Sequence, residues 1–127
     1  MDPKDLLLVA IGGAIGACLR DLVTLWSPNG EFPIATLIVN LIGSFFLGAI
    51  FALSSNQFID DKTMLLIATG ILGSFTTMST YSVETINLWE KDKIMSIFYI
   101  FLTAIICPLL ALFGIELINS ELIIKRN

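Results

Sequence analysis

The chain is 127 residues long, 56% hydrophobic and only 14% charged, with a mean hydropathy of +0.89. Soluble domains run near ~25% charged, so this composition excludes an ordinary water-soluble fold and leaves lipid as the solvent. The net charge of −4 argues against nucleic acid, which wants a basic footprint, and the absence of histidine excludes a His-based metal site or catalytic triad.

The N-terminus, Met1-Asp2-Pro3-Lys4-Asp5, lacks a basic n-region, so Leu6 onward is expected to be a retained helix rather than a cleaved leader. The first apolar span covers 6–26 and is interrupted by Arg20-Asp21. It contains a Gly-x-x-x-Gly at Gly12 and Gly16, which serves either a seam within the chain or one between chains. The second span covers 33–53, with Pro33 where a first helical turn tolerates a missing N–H. The third covers 63–88 and runs 21 residues, Thr63 to Val83, without a charge. The fourth covers 94–118, with 22 uncharged residues from Ile94 to Ile115. Each meets the ~20 residues that a helix needs to cross ~30 Å of hydrocarbon. The expectation is an all-α membrane protein, a single domain over 1–127 with four transmembrane helices and short connections. Trp26 and Trp89 stand at span ends, as interfacial aromatics do.

Charge barely orients this chain. An even number of spans puts Lys4, Lys62, Lys125 and Arg126 on one side and Arg20, Lys91 and Lys93 on the other. Orientation follows a bias in Lys and Arg, and here there is almost none. Either the C-terminal pair alone orients the protein, or copies insert both ways and pair head to tail.

The polar groups at membrane depth need a reason. Asn40 carries two N–H donors and one acceptor oxygen in the middle of an apolar span, either as interhelical glue or as a donor to an anion. In the third span, Gly70 and Gly73 weaken helical geometry just before Thr76, Thr77, Ser79, Thr80 and Ser82. Ser and Thr hide readily by bonding carbonyls of the preceding turn. Five hydroxyls in seven positions exceed what one packed face requires, so a break near the middle of this helix is expected. The fourth span adds Tyr99, Thr103 and Cys107 at i, i+4 and i+8, with Pro108 placed to bend the helix. Cys18 and Cys107 both lie in apolar stretches, as packing thiols do. Glu84 and Glu116 end the third and fourth spans, and no acid lies mid-span. Arg20 either snorkels to the interface or draws anions to a vestibule. Donors without fixed counter-charge suit a small anion that is desolvated and then released. A four-helix exporter of organic cations is the main rival, but it would want an acid between Ala10 and Leu19, where there is none. A non-transporting subunit, with the polar run as packing glue, is the other.

Three motifs resemble one family. Gly12-Gly13-Ala14-Ile15-Gly16-Ala17-Cys18-Leu19-Arg20, the segment Pro33 to Phe45 around Thr36-Leu37 and Val39-Asn40, and the run Gly70 to Glu84 resemble, in order, the motifs of the small dual-topology fluoride channels (Fluc, or CrcB). The resemblance implies a fluoride-selective channel, not an enzyme, that exports fluoride passively across the cell membrane. It also implies an antiparallel homodimer in the bilayer, with two pores and a central structural Na⁺ held by the backbone carbonyls of Gly73 and Thr76. Asn40, Ser79, Thr80 and Ser82, with Tyr99, Thr103 and Cys107, would line the fluoride path. Arg20 and Glu84 match the family's charged positions. Two pore phenylalanines of the family are Met78 and Tyr81 here, Ser74 replaces a glycine, and Cys107 falls where a hydroxyl is usual. Some relatives work only as pairs of unlike chains, whereas the balanced cations here favour self-pairing.

Overall fold

A computed structural model describes residues 2–126, and among these residues every regular element is helical. Four helices are long and apolar enough to cross a membrane: Pro3–Trp26, Ile34–Ser55, Asp61–Lys91 and Lys93–Lys125. The chain is therefore a multi-pass, all-α membrane protein.

The helix ends follow local chemistry. Asp2 and Asp5 form a capping box at the start of the first helix. The second ends in a Schellman turn: Phe58 N–H donates to the Leu53 carbonyl and Gln57 N–H to that of Ser54, with Gln57 left-handed at φ 61°. Asp60 opens the third helix by accepting from Thr63 N–H at 2.9 Å. Asp92 alone links the third helix to the fourth, and its carboxylate accepts from the N–H groups of Ile94 and Met95. That one-residue connection is shorter than the polar run Trp89 to Lys93 suggests.

The third helix is broken. Its leading segment comprises Asp61–Met64, a π-helical stretch Leu65–Leu72, and Gly73–Phe75. Thr76 (φ −75°, ψ 156°) and Thr77 (φ −147°, ψ 121°) are extended, and the trailing segment Met78–Lys91 then resumes. The break, expected from the glycines and hydroxyls, thus falls on two threonines. Thr76 closes the leading segment by sending both its N–H and its hydroxyl to the Leu72 carbonyl, each at 3.0 Å. Thr77 opens the trailing one, its hydroxyl oxygen accepting from Thr80 N–H at 3.2 Å.

The fourth helix contains a second π stretch, Leu102–Ile106, directly before Cys107 and Pro108. A proline lacks an N–H and its ring crowds the carbonyl four residues back. A wider turn ahead of Pro108 accommodates both effects.

Glycines set the packing. The first helix lies against the leading segment of the third, where a Cβ on Gly12 or Gly16 would collide with the carbonyl oxygens of Leu66 or Ile71. The second helix lies against the end of the fourth, where a Cβ on Gly48 or Gly114 would meet the carbonyls of Ala111 or Phe45. Water is absent between lipid-embedded helices, so close backbone approach replaces the hydrophobic effect as the attraction. These small residues therefore serve seams within the chain. The trailing segment pairs with the start of the fourth helix, where the fully buried Ser96 donates to the Thr85 carbonyl at 2.9 Å.

Candidate ion pathway

The second helix, the trailing segment of the third and the fourth helix enclose a groove of about 380 Å³ beside the break. From the second helix come Asn40 and Ser44; from the break and trailing segment come Thr77, Met78 and Tyr81; from the fourth come Thr103 and Cys107.

Asn40 is 7% exposed and fastened to the break by two bonds. Its Nδ2 donates to the Thr77 carbonyl at 3.1 Å, and its Oδ1 accepts from Thr77 N–H at 2.9 Å. One carboxamide thus satisfies both the N–H and the C=O of Thr77, which the broken helix has left without helical partners. An amide has two N–H donors, so one remains for a guest in the groove. On the fourth helix, Thr103 lines the same groove at 8% exposure, and its hydroxyl has no partner among the described residues. Buried hydroxyls are paired in the large majority of cases. An unpaired one lining a groove marks a place for a polar guest.

Around the break, carbonyls point away from any helical partner. Arg20 Nη1 donates to the Ser74 carbonyl at 3.2 Å, while its Nε pairs with Asp21 at 3.4 Å. A cation at a helix C-terminus also complements the dipole there. The carbonyls of Gly73 and Thr76 accept no hydrogen bond among the described residues, and Gly73 is exposed on the surface of the chain. Such free oxygens are the donor set a hard cation takes. Among the described residues no three His, Cys, Asp or Glu side chains converge to hold a metal.

Beyond Tyr81 lies a second polar cluster. Glu84 accepts from Tyr99 Oη and from Thr36 Oγ1, each at 2.9 Å, in a region where Tyr99 is completely buried. The Tyr81 and Tyr99 rings meet at 5.1 Å between centroids, so this cluster adjoins the groove through an aromatic pair. Glu84 also borders a notch of about 240 Å³ near the helix ends, together with Asn87 and Lys91.

The residues singled out in the sequence therefore sort into groups. Asn40, Met78, Tyr81, Thr103 and Cys107 share the groove, whereas Tyr99 sits with Glu84. Arg20 is tied to the break rather than to the groove. Ser79, Thr80 and Ser82 are exposed on the trailing segment, with the Ser82 hydroxyl donating to the Met78 carbonyl at 2.8 Å. Thr36 and Ser44 were not singled out. Their signal is the spacing Thr36, Asn40, Ser44, one face of the second helix at i, i+4 and i+8.

Four apolar helices, a third that breaks at membrane depth, and a polar groove beside the break define a small membrane protein of the ion-conducting kind. The family model described as "CrcB-like protein, Camphor Resistance (CrcB)" matches residues 7–115, and the chain belongs to that family. It is 45% identical over 95 residues, 72% of each chain, to "Fluoride-specific ion channel FluC 1" of Methanosarcina acetivorans. It is 38% identical to "Fluoride-specific ion channel FluC" of Shewanella putrefaciens, covering 93% of this chain and 98% of that one. The protein of the same name from Shewanella frigidimarina is 39% identical, over 92% of this chain and 98% of the relative.

Proposed function

We propose that this chain is a fluoride channel rather than an enzyme, and that it lets fluoride leave the cytoplasm passively across the cell membrane. The observation that carries the reading is the unpaired, buried Thr103 hydroxyl in the groove that Asn40 also lines. Fluoride is a compact anion and a strong acceptor, so a dehydrated site must supply several hydrogen-bond donors at once. The spare Asn40 N–H and the Thr103 hydroxyl supply two, with no fixed positive charge to trap the ion. Tyr81 adds a ring edge, the positive part of its quadrupole, and Met78 offers polarised C–H groups in place of a second ring. Tyr99 and Glu84 lie further along the same route, and Cys107 supplies a weaker donor at its other end.

The assembly we propose is an antiparallel homodimer in the bilayer with one path on each side. Met78 is 70% exposed, and Gly73, Ser79, Thr80 and Ser82 lie open on the chain's surface, where a second copy would close the groove. A structural Na⁺ fits the free carbonyls of Gly73 and Thr76, completed by the same pair from the second copy. The ion would contribute fixed positive charge at the dimer centre. Arg20 holds the end of the leading segment in place for it.

Purified protein in liposomes loaded with potassium fluoride tests the reading. With valinomycin to balance charge, fluoride should leave within seconds while chloride-loaded liposomes retain their content. Retention of fluoride under the same conditions would overturn the proposal.

A further inference from the structure

Two sulfur side chains share the groove, and together they define a site unlike that for a small hard anion. Cys107 is free and buried on the fourth helix, and Met78 is exposed on the trailing segment; both line the groove. Thr103, one helical turn before Cys107, lines the same groove with a buried hydroxyl that has no partner among the described residues, so the cavity already presents an unfilled polar position. Thiolate and thioether are soft ligands, the pair that selects monovalent d¹⁰ cations over Na⁺, Mg²⁺ or Ca²⁺. Met has three rotatable bonds and here little packing to hold it, so its sulfur can swing toward a metal bound at Cys107. Two sulfurs satisfy the low coordination number such ions accept.

We propose that the groove binds a soft monovalent cation, Ag⁺ or Cu⁺, between Cys107 Sγ and Met78 Sδ. On binding, the Cys107 S–H bond breaks, an S–metal bond forms and the proton passes to the buffer base. The thioether adds as a neutral ligand, and no electron changes hands. The site stands on these two sulfurs whether or not fluoride passes through the same space.

Cys18 is the other thiol and is exposed on the first helix, so the test starts from a Cys18→Ala protein in detergent and chloride-free buffer. Titration with Ag⁺, followed by isothermal calorimetry, should give one equivalent per chain. Cys107→Ser in that background should abolish the binding. Met78→Leu, which keeps volume and removes the sulfur, should weaken it by at least about tenfold, since even outer partners of a metal site are worth about 10–100-fold. A Met78→Leu protein that binds Ag⁺ as tightly as its parent would overturn the two-sulfur site, as would a Cys107→Ser protein that still binds one equivalent. Circular dichroism and the gel-filtration profile of each variant, matched to the parent, establish that lost binding is not lost folding.

Discussion

Asn40 does two things with one side chain, and they come apart by mutation. Replacing it with alanine leaves the Thr77 N–H buried without a partner, which costs about 1–3 kcal/mol. Asn40→Ala should therefore lower the midpoint of thermal unfolding in detergent and also strongly reduce fluoride efflux. Intact stability with lost efflux would mean that the bonds to Thr77 carry little weight. Met78 makes a separate case. Met78→Phe places an aromatic ring in the groove, and it should change the rate of fluoride efflux relative to the parent; an unchanged rate would show that this position does not tune conduction. Asn40 stood out in the sequence because a carboxamide is rare in the middle of an apolar span. Its partner did not, because Thr77 lies 37 residues further along the chain and the contact uses backbone atoms that any residue possesses. Thr103 was legible as one step of a polar stripe, but that its hydroxyl is the unpaired one depends on the packing around it.

Among elements, the glycine seams and the helix starts govern stability. Gly48→Ala would drive a methyl group into the Ala111 carbonyl and force the second and fourth helices apart. Overpacking of this kind costs about 1–3 kcal/mol, and it should appear as a lower unfolding midpoint, with fluoride efflux falling because the same two helices wall the groove. The start of the third helix has its own pH dependence. Hydrogen bonds from the Thr63 side chain and backbone hold the exposed Asp60 carboxyl below its usual value of 3.8. A depressed folded value means that the charged cap stabilises the helix start above the unfolded pKa, and that this support is lost as pH falls through the folded one. Amide exchange at Thr63 and Met64, corrected for intrinsic rates, should be steady near neutral pH and gain speed only below about pH 4. Constant protection down to the most acidic point would show that the cap is unimportant. The sequence revealed four helices and the break in the third, because uncharged length and a cluster of Gly, Ser and Thr are local signals. It did not reveal the π stretches. The one at Leu102–Ile106 follows from Pro108, whose effect on the preceding turn has no periodicity to read. The Gly-x-x-x-Gly was ambiguous between seams within and between chains, and only the packing of Gly12 and Gly16 against the leading segment of the third helix decides it.

At the scale of the molecule, one chain supplies a groove with three walls, and its open side carries Met78 and the hydroxyls of the trailing segment. The nearly even division of Lys and Arg between the two faces suits insertion in both directions, which an antiparallel pair needs. The account as a whole rests on the groove being the route of the ion, and Thr103→Val tests this most directly. The change is close to isosteric and removes a buried hydroxyl that has no partner, so stability should hold or rise. Fluoride efflux from liposomes should nevertheless fall by about 10–100-fold, the loss expected when one hydrogen bond to a charged guest, about 1.5–3 kcal/mol, is removed from the path. A stable Thr103→Val protein that releases fluoride as fast as its parent would contradict the account and place the ion elsewhere.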